Sequence, residues 1–129
     1  MLRHTRTRTL YRLPDGRDAA AASREIAARE LADAGAAGEV EDTGLLLSEL
    51  VSERLEQQPD PDAFLTVDVL RAPRHRHRWA VVDRGQPTLP AGLRSVALDA
   101  IADSWGVSRV RGLTRTWFEL RARRGKSKP

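Results

Sequence analysis

The segment at residues 40–58 constrains the fold of this chain more than any other. Its apolar residues recur at the spacing of one helical face: Leu46, Leu47, Leu50, Val51 and Leu55. Prolines at positions 59 and 61 predict a firm end to this helix. This apolar stripe is typical of a buried helix. Glu49 and Glu53 lie one turn apart on the same helix. The helix is therefore expected to lie against a second layer of structure.

Residue patterns along the rest of the chain predict a two-layer α+β sandwich. Strands are predicted at residues 5–13, 65–69, 79–82, 107–111 and 115–121, and further helices at 19–34 and 94–105. This order predicts a mainly antiparallel sheet with helices on one face and the first strand at its edge. Glu25, Arg29 and Glu30 are expected to face solvent. His75 and His77 are expected in an exposed basic turn rather than in a metal site, and the three tryptophans in the core or at its edge.

Length and composition favour a single cytoplasmic domain. The 129 residues are divided into a basic arm at 1–7, a domain at 8–121 and a basic tail at 122–129. Neither a signal peptide nor a membrane helix of about 20 apolar residues is expected, and the absence of cysteine fits the cytoplasm. The formal charge of +4 comes from arginine. The basic ends are expected to be solvated, so nucleic-acid binding is not the favoured interpretation.

Four short segments, in order, carry a resemblance to a known family. They are residues 48–51 (SELV), 81–85 (VVDRG), 97–106 (ALDAIADSWG) and 116–120 (TWFEL). Together they resemble the anti-sigma-factor (serine kinase) branch of the histidine-kinase-like ATPases, over about residues 8–121. The resemblance implies a family that binds ATP and magnesium between helices and sheet. Many of its members phosphorylate a serine on an antagonist protein and sequester a sigma factor.

The resemblance also implies a role for individual residues. Glu49 falls where the family keeps its general base. Asp83 falls where an aspartate receives the adenine amino group, and Gly85 matches the glycine that follows it. Gly92 matches the first glycine of the loop beside the phosphates.

Departures from the family pattern indicate a degenerate nucleotide site. Glu53 replaces the magnesium-binding asparagine, and each like-charge contact with phosphate costs about 4 kcal/mol at 4 Å and a dielectric near 20. Arg54 replaces a family alanine, Arg94 replaces the second loop glycine, and the lid between Asp83 and the next helix is short. No cofactor is therefore expected, and either an open cleft or Arg54 and Arg94 should lie beside Asp83. ATP and magnesium are expected only if the site is functional.

Two site assignments stay open at this stage. Glu49 and Glu53 indicate either a residual catalytic or metal site or an exposed acidic face paired with Arg94. If the two carboxylates are enclosed, the pKa of one of them should rise. Asp83 fits adenine recognition and turn capping about equally.

The favoured hypothesis is a regulatory protein of anti-sigma-factor-like fold that acts by binding another protein. The expected partner is a sigma factor, an anti-anti-sigma-type protein, a signalling kinase or a second copy of the chain. The first strand and the ridge around Glu53 and Arg54 are the predicted interfaces. One alternative is an active ATP-dependent serine/threonine kinase with Glu49 as base and Glu53 as magnesium ligand. The other is a nucleic-acid-binding module that uses the basic ends.

Overall fold

The computed structural model describes residues 6–58, 60, 65–72 and 76–121. Its strands are β1 (Thr7–Arg12), β2 (Thr66–Ala72), β3 (Arg76–Asp83), β4 (Ser104–Val110) and β5 (Leu113–Arg121). Its α-helices are α1 (Asp18–Asp33), α2 (Val40–Glu56) and α3 (Leu93–Ile101), and a short 3-10 turn, Ala37–Glu39, precedes α2. The basic tail, most of the basic arm, residues 73–75 with the predicted turn at His75, and the prolines after α2 lie outside the described residues.

The strands form one antiparallel sheet in the order β1-β2-β3-β5-β4. Helices α1 and α2 pack against each other, and the core lies between them and one face of this sheet. Its members include Leu31, Leu46, Leu47, Leu50, Val67, Val69, Trp79, Val81 and Phe118. The predicted two-layer sandwich with an edge strand at β1 is therefore confirmed. No helix within the described ranges is long and apolar enough to cross a bilayer.

The third helix is shorter than predicted. It ends at Ile101, because Ala102 takes an extended conformation (φ −80°, ψ 146°) and β4 begins at Ser104. Trp105 lies in β4 opposite Phe118, where it packs against the core from its edge. The pairing of β4 with β5 thus prevails over the helical spacing of the residues before it.

Strand β3 begins three residues earlier than predicted, at Arg76. His77 is therefore a buried strand residue and not part of an exposed turn. Its ring stacks on Trp79 with a centroid separation of 5.8 Å. The prediction that it belongs to an exposed turn was wrong, because the sequence around it is too basic to show the strand alternation.

Glu30 is buried, although its position on α1 predicts exposure. It accepts a hydrogen bond from the Tyr11 hydroxyl of β1 and lies 3.5 Å from an Arg71 nitrogen on β2. Burial raises the pKa of Tyr11 to about 12, and the hydrogen bond to Glu30 adds to the effect. These contacts attach the edge of the sheet to the first helix, which no spacing within α1 could reveal.

Candidate functional site around Asp83

Asp83 ends β3 beneath α2, and its carboxylate is fully buried. Three donors lie at 2.7 Å from it: Arg54 Nε on Oδ2, Arg54 Nη2 on Oδ1, and the Gly85 backbone N–H on Oδ1. Such charge-assisted bonds at this length are strong, and the paired contacts fix the guanidinium in the plane of the carboxylate. Both oxygens of Asp83 are thus engaged within the protein.

Arg54 comes from α2, one residue after Glu53, and its side chain is as inaccessible as that of Asp83. Besides the aspartate, it donates to the Gln86 carbonyl at 2.8 Å and to Thr88 Oγ1 at 3.1 Å. The guanidinium therefore satisfies its charge and most of its donors beside the strand end. A single side chain joins the helix, the sheet and the loop that follows β3.

The loop at residues 84–92 connects β3 to α3 and folds around this ion pair. A Cβ at Gly85 would lie 2.9 Å from Arg54 Nη2 and 3.0 Å from Asp83 Oδ1, so any larger residue would force these buried side chains to shift. The Gly85 carbonyl accepts from Thr114 Oγ1 at 2.6 Å and from Arg109 Nη1 at 3.1 Å. The start of the loop is consequently held on both sides, by α2 and by the β4–β5 hairpin.

Glu49 and Arg94 meet across the gap between α2 and α3. Arg94 Nε lies 3.2 Å from Glu49 Oε1, and Arg94 Nη1 lies 3.5 Å from Glu56 Oε1. Burial lowers the pKa of Arg94, but the hydrogen bonds to Glu49 and Glu56 outweigh this effect and raise it overall. The predicted pairing with Arg94 is correct for Glu49, and Glu56 takes the second place in it; both glutamates keep part of their surface exposed.

Glu53 differs from its two acidic neighbours because it is buried, with only 7% of its surface exposed. Its Oε1 has no hydrogen-bond partner. Burial raises the pKa of Glu53, the charges of Arg94 and Arg54 oppose this effect, and Glu56 and Asp83 support it. Within the described ranges, no three His, Asp or Glu side chains are grouped so that they could hold a metal ion.

The structure thus brings Asp83 and Gly85 together around Arg54, with Glu53 beside them on α2. Gly92 lies apart as an exposed residue with φ 64° that precedes α3. The predicted interface ridge around Glu53 and Arg54 was wrong, since both side chains are buried. Their place on the helical wheel is next to the apolar stripe, and the sequence alone did not show how far the loop covers it.

Several polar residues that complete the site were not singled out from the sequence: Gln86, Thr88, Arg109 and Thr114. These residues are close to Asp83 only in the folded protein, because folding brings the loop and the last hairpin around its carboxylate. The sequence offered one signal for Thr114, because both Thr114 and Asp83 lie at or next to the ends of predicted strands. The structure pairs these two residues across β3 and β5.

Comparison with known proteins supports the fold assignment. No protein-family model matches the chain, and no curated protein matches it. Among solved structures, the chain is similar to the crystal structure of the RsbU and RsbW domains of Rv1364c from Mycobacterium tuberculosis, with a TM-score of 0.72 and 22% sequence identity. The match covers 89% of this chain and 32% of that one, so this chain spans about a third of its length. The likeness shows a shared α+β fold and agrees with the anti-sigma-factor-like fold that the sequence resembles.

Proposed function

We propose that this chain is a regulatory protein that binds another protein and has lost ATP binding, because Arg54 takes the place of the nucleotide base. The ion pair between Arg54 and Asp83 carries the proposal. The resemblance assigns Asp83 to the adenine amino group, yet its oxygens already accept three hydrogen bonds at 2.7 Å. An adenine would have to displace a buried guanidinium before it could reach this carboxylate.

Breaking the ion pair between Arg54 and Asp83 costs more free energy than a hydrogen bond to adenine would contribute. A charge left alone in a buried site destabilises a protein by about 3–5 kcal/mol, whereas one neutral hydrogen bond contributes about 0.5–1.5 kcal/mol. Arg54 would also lose Gln86 and Thr88 if it moved. The exchange is therefore unfavourable, and the chain does not fit an adenine nucleotide.

The magnesium and phosphate side of the site supports the same proposal. Glu53 is a buried carboxylate with a raised pKa, and within the described residues it belongs to no group of three or more acidic or histidine side chains that could hold a metal ion. Glu49, the residue that resembles a general base, is paired with Arg94. A negatively charged triphosphate would meet Glu49, Glu53 and Glu56 on one helix, which disfavours the kinase alternative.

Protein binding is the activity that remains for such a fold. The anti-sigma-factor branch that the chain resembles acts on sigma factors and their regulators, so a sigma factor or an anti-anti-sigma-type protein is the proposed class of partner. Apolar exposure near the former lid is consistent with this class. Leu93 is 87% exposed, and Leu89 before it and Val96 after it in the chain are exposed as well.

Calorimetric titration with ATP and ADP, with and without magnesium, tests the loss of nucleotide binding. We expect no saturable heat at millimolar nucleotide. One-to-one binding at micromolar concentration would contradict the proposal and favour the kinase alternative. The doubly substituted protein Glu53→Asn/Arg54→Ala, which carries the residues of the family pattern, provides the counterpart: if it folds, it should gain measurable affinity for adenine nucleotides.

A further inference from the structure

The face of the sheet turned away from the helices is rich in arginine, and we call it the open face. Strand register places its side chains in three rows that cross the strands. One outer row is Arg8, Leu70, Arg78, Glu119 and Ser104; the central row is Leu10, Asp68, Ala80, Trp117 and Gly106; the other outer row is Arg12, Thr66, Val82, Arg115 and Ser108. Arg76 lies beyond the first row. The alternate residues of the same strands, such as Trp79 and Phe118, point into the core.

The described part of this face carries five arginines and two carboxylates, a net charge of +3. Both carboxylates are already paired within the face. Asp68 lies 2.8 Å from Arg115 and 3.3 Å from Arg8, and Glu119 lies 3.0 Å from Arg78. A guanidinium has five N–H donors, and these contacts use only some of those of Arg8, Arg78 and Arg115, so the three retain donors for an incoming group. The open face is therefore complementary to negative charge.

Trp117 forms the apolar centre of the open face. Its indole lies against Gly106, where an added Cβ would be 3.0 Å from the ring. The Arg78 guanidinium lies 4.5 Å from the ring centroid, in the geometry of a cation–π contact. A tryptophan fixed between a glycine and an arginine offers a rigid anchor, and tryptophan and arginine are the residues that most often dominate protein interfaces.

The dimensions of the face indicate a short segment as its occupant. Five strands about 4.8 Å apart span about 19 Å, and seven residues of strand extend about 24 Å. This area is roughly 450 Å². It is about half of the roughly 800 Å² that each partner buries in a standard protein interface. A segment of about a dozen residues fits it, whereas a whole domain would extend past its edges.

We propose that the open face binds a short acidic segment of the partner protein, with apolar side chains over Trp117 and carboxylates on the two arginine rows. This inference rests on the proposed function, because it assigns the surface through which the regulator holds its partner. Planar guanidinium groups recognise carboxylates through paired hydrogen bonds. Arginines in the rows on both sides of Trp117 favour an acidic segment with apolar residues at its centre.

Two other occupants fit the open face less well. Single-stranded nucleic acid stacks successive bases on several aromatic side chains, and Trp117 is the one aromatic that the described strands place on this face. A second copy of the chain would bring two positively charged faces together, which opposes association. The chemistry of the face therefore favours an acidic protein segment.

The test uses a fluorescein-labelled peptide of about a dozen residues, with leucines at its centre and glutamates on both sides, and the same peptide with lysine in place of glutamate. Fluorescence anisotropy measures affinity for the full chain, and amide chemical shifts locate the contact. The variant Arg76→Glu/Arg78→Glu reverses two charges on the open face. The control Arg17→Glu/Arg84→Glu makes the same change in net charge at exposed residues elsewhere. Trp117→Ala removes the apolar anchor, and circular dichroism verifies that each variant is folded.

We expect the acidic peptide alone to bind, with shifts on β3 and β5. Arg76→Glu/Arg78→Glu and Trp117→Ala should each weaken binding about tenfold or more, while the control changes it by less than about twofold. No binding, equal losses in both charge-reversed variants, or shifts confined to α3 would overturn the proposal. Tighter binding of a thymidine oligonucleotide that depends on Arg76 and Arg78, or dimerisation through this face, would also overturn it. Nucleotide titration is independent of these outcomes, so a failure here leaves the loss of ATP binding to be judged separately.

Discussion

Removal of either partner from the Arg54–Asp83 pair should cost the protein a large part of its stability. Arg54→Met leaves Asp83 buried with one remaining donor, the Gly85 N–H. Asp83→Asn leaves Arg54 as a buried cation without a counter-charge. Both side chains are fully inaccessible, so each single substitution is expected to cost about 3–5 kcal/mol of unfolding free energy.

The double variant Arg54→Met/Asp83→Asn removes both charges and keeps an oxygen for the Gly85 N–H. We therefore expect it to recover most of the stability that either single variant loses. Urea denaturation of the four proteins gives the coupling free energy from a double-mutant cycle. The matched control is the cycle Arg78→Met/Glu119→Gln, whose partly exposed pair should couple by about 0–1 kcal/mol.

The refuting result is an additive cycle at Arg54 and Asp83. If the double variant loses the sum of the two single losses, the pair is not the coupled unit that the geometry describes. A single-variant loss below about 1 kcal/mol, within the range of an exposed pair, would likewise show that solvent reaches the site.

Three further substitutions or titrations test the surroundings of the pair. Glu53→Gln should stabilise the protein above pH 4.5, the ordinary pKa of glutamate, and have little effect below it. The folded state favours the protonated form of Glu53, so the natural protein loses stability as the pH rises. An equal effect of the substitution in urea denaturation at pH 4 and pH 7 would contradict this. Gly85→Ala should lower the free energy of unfolding by about 1–3 kcal/mol, because the new Cβ would lie 2.9 Å from Arg54. The control Gly38→Ala, whose Cβ would have nothing within 4 Å, should lower it by less than about 0.5 kcal/mol. Equal melting temperatures of the two variants would refute the clash. Tyr11, the one tyrosine in the chain, should ionise near pH 12, as followed by ultraviolet absorbance. The free energy of unfolding should fall as the pH rises above 10.0, the ordinary pKa of tyrosine. Ionisation of Tyr11 in the folded protein near pH 10 would show that its hydrogen bond to Glu30 is absent.

Local patterns were sufficient for the architecture of this chain. The apolar spacing of α2 and the alternation in β2 and β5 depend on residues two to four positions apart, and these distances are fixed within each element. The end of α3 was less predictable, since Ala100 and Ile101 suit a helix and Trp105 continues the spacing. Pairing of Trp105 with Phe118 decided the outcome, and such pairing is a tertiary effect.

The candidate site was predictable only in part, for a related reason. The sequence resemblance brought Glu49, Asp83 and Gly85 to attention, and it identified Arg54 as a bulky replacement near them. It left open whether the cleft beside Asp83 is empty or filled by Arg54 and Arg94, because the direction of the Arg54 side chain depends on the loop that carries Thr88. Burial of Glu53 depends on the same packing, so its raised pKa follows from the fold and not from its spacing.

The most direct test of the central claim follows Arg54 and Gly85 themselves during addition of ATP. In a ¹H–¹⁵N spectrum, the Arg54 Nε–H and the Gly85 amide both donate to Asp83, so each reports on this carboxylate. Occupation of the site by Arg54 predicts that neither resonance moves with millimolar ATP and magnesium. Saturable shifts of both, at a stoichiometry of one nucleotide per chain, would show that adenine displaces the guanidinium and would contradict the account.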